Sequence, residues 1–271
     1  MKHFCLHACL TLCLLMHAPL QATEIIAHRG YSAVAPENTV AAFNRAWAAG
    51  ADACELDLYL TSDRQIAVIH DKDTQRTTGV NRVVAESTLA ELRELDAGSW
   101  KAPEFAGEKI PTLAEALATL PLGTKRFFLE IKCGPEVVPV LAAELEAWKP
   151  RAGQLCIIAF DRRVARESKK ALPWLKVFRL SSEKAKLKTA VDLTSLISDT
   201  QADGLDGLDL SLKWNWSGAM VKQVRDAGLE LYVWTVNDPR DVERLNALGI
   251  DGITTDDPVK LQEALSGSRQ E

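Results

Sequence analysis

The stretch from Ile25 to Asp71 brings together, in fewer than fifty residues, two histidines (His28, His70), Arg29 and four acids spaced to face inward or flank a site (Glu37, Glu55, Asp57, Asp71). Each lies near the end of a strand-like run or in a turn. Glu55-Leu56-Asp57 alternates, so a strand puts both carboxylates on one face and Leu56 on the other. An isolated E-x-D is usually a solvated acidic stripe. Here Ala53-Cys54 precede the pair and Leu58 and Leu60 follow it, which reads as a mostly buried strand whose carboxylates need a counter-charge. A divalent cation is the economical one. The histidines add proton transfer, because imidazole titrates near pH ~6.5 and both takes and gives a proton near neutrality. A lone histidine after an apolar run is ordinarily a satisfied core or edge residue, but this density of chemistry is rarely structural.

The elements that position these groups follow from periodicity. Glu24 to Ala27 is a short apolar run ending in His-Arg-Gly. Asn38 to Gly50 has helical spacing, with Val40, Phe43, Ala46 and Trp47 on one stripe, Asn38 as N-cap and Gly50 as the stop. Ala53 to Leu60 is a second strand, so the region reads as a βαβ unit. Further strand-like runs occur at Phe127 to Lys132, Leu155 to Phe160, Lys176 to Leu180, Gly207 to Leu212, Leu229 to Val236 and Gly252 to Thr255. With the first two they make eight, the pattern of a (β/α)8 TIM barrel whose chemistry sits at the C-terminal ends of its strands.

One run breaks the alternation. Gln65 to His70 follows Leu60 after a four-residue turn, Thr61 to Arg64, which can join antiparallel strands but cannot carry a parallel crossover. It is therefore the return arm of a hairpin, and the hairpin folds His70 back beside Glu55 and Asp57. The polar segment at about 71–111, with one helical piece near Thr88 to Leu95, is too long for an ordinary connection and reads as an insertion.

Composition bounds the class. At 271 residues, 47% hydrophobic and 25% charged, the chain suits one barrel domain of ~250 residues. The formal charge of −5 argues against nucleic acid or an anionic membrane surface as the main partner. Residues 1–22 carry an early Lys2, an apolar run from about Leu10 to Met16 and small residues before Thr23. That is a secretory signal peptide, too short in its apolar part for a permanent anchor, and it leaves 23–271 as an exported, periplasmic or secreted domain. Its loss takes the charge from −5 to −6, because Lys2 is its one charged residue. Cys5, Cys9 and Cys13 leave with it. Cys54, Cys133 and Cys156 are an odd set, expected as three buried thiols; Cys54 and Cys133 alternate against the site face.

HRG at 28–30, PENT at 36–39, ELDL at 55–58, HD at 70–71 and LEIK at 129–132, in this order, resemble the glycerophosphodiester phosphodiesterase family. The resemblance runs from Ile25 to about Pro258. It implies a TIM barrel of the phospholipase C-like phosphodiesterase type with a small capping insertion. The implied cation, Ca²⁺ or Mg²⁺, is held by Glu55, Asp57 and Glu130, since hard oxygen ligands suit either. His28 and His70 are the implied acid/base pair. Arg29 and Lys132 bind the substrate phosphate, and Trp234 packs against the glycerol or the alcohol, or else belongs to the barrel core.

The implied reaction hydrolyses glycerophosphodiesters such as glycerophosphocholine or glycerophosphoethanolamine to sn-glycerol 3-phosphate and an alcohol. On this reading the glycerol 2-hydroxyl attacks first and water opens the resulting cyclic phosphate. The alternative on the same fold is a lysophospholipase D or another phospholipid diesterase, which needs an exposed apolar rim or a wide groove. Several positions carry further readings. Glu37 sits close to the cation or orients a histidine, and Asp71 orients His70 or caps a turn. Trp100 and Phe105 line the pocket or anchor the insertion, while Trp214 with Trp216 bind ligand or seal a loop. Asp203-Gly204 and Asp206-Gly207 read as a turn before a strand, and Asn237 matches the family's late strand.

Overall fold

The structure, a computed structural model, describes residues 23–182 and 192–267; the expected signal peptide lies outside the described residues. Nine strands form one sheet: β1 (Glu24–Ala27), β2 (Ala53–Leu60), β3 (Ile66–Val68), β4 (Arg126–Ile131), β5 (Leu155–Ala159), β6 (Lys176–Ser181), β7 (Gly207–Ser211), β8 (Glu230–Trp234) and β9 (Gly252–Thr255). All pairings are parallel except β2 with β3, and β1 bonds to both β9 and β2. The eight parallel strands therefore close into a barrel, and β3 is the return arm of a hairpin on β2, in the register Leu58↔Val68 to Leu60↔Ile66.

Helices follow the strands. They are α1 (Val40–Ala48), α2 (Gln75–Thr78), α3 (Leu89–Arg93), α4 (Leu113–Ala118), α5 (Val138–Leu145), α6 (Arg162–Ala171), α7 (Leu193–Ala202), α8 (Gly218–Asp226), α9 (Pro239–Leu248) and α10 (Pro258–Gly267). The cap of α1 falls one residue later than the spacing suggests. Thr39 Oγ1 accepts from the Ala42 amide at 3.2 Å, and Asn38 is used elsewhere. Gly50, at φ +84°, ends the helix as expected.

Alternation along the strands builds two cores. Outward residues such as Leu56, Leu58, Phe127, Leu129 and Ile157 pack under the helices. Inward residues Ile26, Ala53, Phe128, Cys156, Phe178 and Tyr232 fill the barrel. The Phe178 and Tyr232 rings meet at 4.9 Å between centroids, and burying a ring of that size contributes about 2–3 kcal/mol. Gly252 makes room for Tyr232, because a Cβ there would lie 2.8 Å from the ring. Below this layer the N-terminal end of the barrel is tied by ion pairs, Arg126 with Glu24 and Lys176 with Glu230, and Arg126 also donates to the Tyr232 hydroxyl at 2.7 Å. The upper layer is where Glu55, Asp57 and Glu130 replace apolar side chains.

The segment after β3 builds a small core of its own from Ala67, Ile69, Val84, Leu92, Ala97 and Ile110. Phe105 is buried with Ala35 and Ala42 and anchors this segment on α1, while Trp100 stays 40% exposed. Trp216 is buried and donates to the Ser211 carbonyl, and Trp214 donates to that of Ser181, so both seal the loop after β7. Cys54 and Cys156 are buried free thiols as expected, whereas Cys133 is only half-buried; it lies just beyond β4, packed against the outer core.

Candidate active site

At the C-terminal end of β1 the chain turns sharply. Arg29 and Gly30 both have left-handed backbone, at φ +56° and +77°. That conformation is strained for arginine, and it aims the Arg29 amide at Glu55 Oε2, 2.9 Å away. Gly30 is required twice over, since a Cβ would stand 2.6 Å from the Ala42 backbone as well as at positive φ. Asn38 is also left-handed, at φ +57°. Its side chain donates to Asp57 Oδ2 at 2.7 Å and accepts from the Asp57 amide at 3.1 Å.

Glu55 and Asp57 on β2 and Glu130 on β4 are buried and place ligand oxygens within 4.8 Å of one another. Register brings this about, for Asp57 stands opposite Glu130. Burial, then Asp57 and Glu130, push the Glu55 carboxyl well above its usual range. Burial and Asp57 likewise push Glu130 up to about 7, although Lys132 Nζ lies 2.7 Å from Glu130 Oε1 and pulls the other way. Glu55 Oε1 and Asp57 Oδ1 are buried with no hydrogen-bond partner. Three convergent carboxylates with unpaired oxygens, at a cost that only cations offset, fit a hard divalent ion.

The two histidines are held alike. His28 Nδ1 lies 2.6 Å from Asp256 Oδ1, and His70 Nδ1 lies 2.8 Å from Asp71 Oδ1, so each ring keeps Nε2 for other work. Asp256 also accepts from Asn237 at 2.6 Å and Ser32 at 3.2 Å. Burial opposes its ionisation, but His28, Asn237 and Ser32 prevail and hold its pKa at about 2. His70 is lowered, chiefly by burial. Glu37 neither touches a histidine nor joins the acidic triad. It takes the Arg29 guanidinium at 2.9 Å and Arg76 through two 2.7 Å bonds. Arg76 also holds Asp71 at 2.7 Å.

A cavity of about 300 Å³ joins these groups. His28, Arg29, Glu55, His70, Glu130 and Lys132 line it, together with Ile158, Phe160, Leu180, Asp209, Trp234 and Thr254. Trp234 donates to the Asp209 carbonyl at 3.2 Å and meets Phe160 edge-on at 5.5 Å. It both lines the cavity and packs on the interior core. A wider groove at the rim runs past Glu37, Arg76, Trp100 and Lys101.

With this geometry in view, comparison with known proteins is decisive. The sequence profile of the Glycerophosphoryl diester phosphodiesterase family matches residues 28–260. The chain belongs to that family. A glycerophosphodiester phosphodiesterase of Caldanaerobacter subterraneus is 37% identical over 244 residues, covering 88% of this chain and 96% of that one. One from Bacillus subtilis is 32% identical over 251 residues, covering 86% and 83%. Among solved structures, an Oleispira antarctica phosphodiesterase in complex with the product sn-glycerol-3-phosphate superposes with a TM-score of 0.78 at 28% identity, covering 90% of this chain and 97% of that one. A family member from Parabacteroides distasonis gives 0.75 at 28% identity, covering 92% and 99%.

All eight residues picked from sequence, His28, Arg29, Glu55, Asp57, His70, Glu130, Lys132 and Trp234, meet in or beside this one cavity. The sequence reading passes over Arg76, Asp209 and Asp256 and takes Asn38 for a helix cap. Asp256 has a visible signal as the acid following the last strand, and Asp209 the same place between two leucines as Asp57.

Proposed function

We propose that this protein hydrolyses glycerophosphodiesters, such as glycerophosphocholine or glycerophosphoethanolamine, to sn-glycerol 3-phosphate and an alcohol, with one divalent cation, Ca²⁺ or Mg²⁺, held by Glu55, Asp57 and Glu130. The observation that carries the reading is the buried triad with two oxygens that no hydrogen bond satisfies, one of them 3.5 Å from Lys132 Nζ, flanked in one cavity by two histidines that carboxylates orient. The bound cation supplies neutralisation of charge on the phosphate.

The remaining roles fall to the chain's own groups. The guanidinium of Arg29 and the ammonium of Lys132 bind phosphate oxygens. His70, whose lowered pKa keeps it neutral near pH 7, takes the proton of the glycerol 2-hydroxyl through Nε2 as that oxygen bonds to phosphorus. His28 gives a proton to the departing alcohol as its P–O bond breaks. Water then opens the cyclic phosphate: His28 takes the proton of water, and His70 returns its proton to the glycerol 2-oxygen. Each histidine ends as it began.

Phe160 and Trp100 are 41% and 40% exposed at the two mouths, which keeps lysophospholipids as the second substrate to assay. No helix among the described residues is long and apolar enough to cross a membrane. The deciding experiment is release of glycerol 3-phosphate from glycerophosphocholine by protein lacking residues 1–22, with chelator and then with Ca²⁺ or Mg²⁺ restored. Chelator-sensitive release rescued by one ion supports the reading and names the ion. Absence of release under either ion overturns it. Export, carried by the sequence of residues 1–22, is tested by fractionating cells that express the full chain.

A further inference from the structure

One buried polar group in the cavity is used neither by the acidic triad nor by the histidines. Asp209, on β7, is 1% exposed and its Oδ1 has no hydrogen-bond partner. It lies outside the set of oxygens that could share an ion, which contains Glu55, Asp57 and Glu130. In the order β1-β2-β4-β5-β6-β7-β8-β9 around the closed barrel, β7 stands diametrically across from β2. The cavity thus has a charged wall on β1, β2 and β4, together with His70, and across from it Leu180, Phe160 and Trp234 with one acid set among them, while Ile158 stands beside Glu130.

The two walls ask for different parts of one molecule. An acid in an apolar wall with an unpaired oxygen carries a desolvation cost that a hydrogen-bond donor removes. The phosphate cannot be that donor, since it offers acceptors only. A carbon skeleton carrying hydroxyl groups meets both demands: its CH faces pack on Trp234 and Phe160, and a hydroxyl reaches Asp209. Trp234 is fixed for this by its own bond to the Asp209 carbonyl.

We propose that Asp209 is a specificity-determining residue that accepts a hydrogen bond from the free sn-1 hydroxyl of the substrate's glycerol, and so rejects diesters in which that hydroxyl is acylated or missing. The inference rests on the diesterase reading above. The 2-hydroxyl is spent as nucleophile, which leaves the primary hydroxyl to face the opposite wall. Acylation there removes the donor and sets an ester against a buried carboxyl. Asp209 thereby separates glycerophosphodiesters from lysophospholipids, which share the phosphate and the alcohol.

The test compares kcat/KM on glycerophosphocholine, on the 2-hydroxypropyl ester of phosphocholine (which lacks only the primary hydroxyl) and on 1-acyl lysophosphatidylcholine. Wild type should prefer glycerophosphocholine over the deoxy diester by about 10- to 100-fold. Asp209→Leu should bring that ratio near 1, mainly by raising KM for glycerophosphocholine. Asp209→Asn keeps an accepting oxygen and should keep most of the preference. A ratio in Asp209→Leu equal to that of wild type overturns the proposal, and so does wild type that hydrolyses the two diesters equally. The latter needs no variant to fold. Competitive inhibition by glycerol 3-phosphate against 2-hydroxypropyl phosphate gives the same ratio from binding alone. Wild type inactive on every diester defeats the diesterase reading itself.

Discussion

At the residue scale the site works by mismatch. Glu55, Asp57 and Glu130 are individually poor tenants of a barrel interior, and each makes the others worse. Removing one charge at constant shape should therefore ease the fold while spoiling the ion site. Glu130→Gln is expected to lower glycerol 3-phosphate release by about 10³-fold or more and to weaken cation binding, measured by calorimetric titration, with unfolding temperature unchanged or raised. Unaltered cation affinity would remove Glu130 from the ligand set. The His28 partner makes a separate prediction. Asp256 is ionised well below neutrality and fixes the ring through Nδ1. In Asp256→Asn the amide can present its NH₂ to Nδ1 and favour the wrong tautomer, so kcat should fall ~10²- to 10⁴-fold with KM little changed. Steady-state rates on glycerophosphocholine decide it; a change confined to KM would speak for substrate binding instead.

Elements explain why some of this was readable from the chain alone and some was not. The acidic pair, the histidine after the hairpin and the Glu130-Lys132 pair all sit on period-two runs, so alternation alone places them on one face. The Asp57↔Glu130 register and the antiparallel β3 return agree with that reading. Contacts that depend on closure of the barrel carry no local signal. His28 and Asp256 are 228 residues apart and meet only because β1 pairs with β9. Asn38 looked like a helix cap because its neighbours are helical, yet its left-handed backbone turns its amide to Asp57 and leaves the cap to Thr39. The β1–α1 turn is therefore the least tolerant connection at the mouth. Gly30→Ala meets both positive φ and the Ala42 backbone. It should destabilise by about 1–3 kcal/mol and, by moving Arg29, cut kcat/KM at least 10²-fold. Denaturant unfolding and kinetics on one sample check both, and an active, fully stable variant would show that the turn has slack.

The whole molecule divides its charges between two ends of one barrel. At the N-terminal end Glu24, Arg126, Lys176 and Glu230 neutralise one another, whereas at the C-terminal end Glu55, Asp57, Glu130 and Asp209 are buried in excess over Arg29 and Lys132. That asymmetry has a thermodynamic signature. Glu55, Glu130 and Asp209 bind protons more tightly folded than unfolded, so between the ordinary carboxylate range and their raised pKa values the native state holds more protons. Stability of the cation-free protein then falls as pH rises. His70 has the opposite sign, because its lowered pKa makes the unfolded chain the better proton binder, but its effect fades as pH rises past the ordinary histidine value of 6.5. Glu37 and Asp256 are held low by their partners and titrate below this range. From pH 6.5 to 8 the raised carboxylates are thus left to set the slope. Glu130, lifted from 4.5 to about 7, puts on the order of 3 kcal/mol at stake, or a drop of very roughly 5–10 °C in unfolding temperature over the whole titration. A bound divalent ion supplies the missing positive charge and binds only the folded state, so the gap between loaded and cation-free melting curves should widen as pH rises through this window. Calorimetric scans at pH 6.5, 7.25 and 8, with chelator and with Ca²⁺ or Mg²⁺, measure it. A gap that stays constant or narrows would mean that the triad is not where the ion binds.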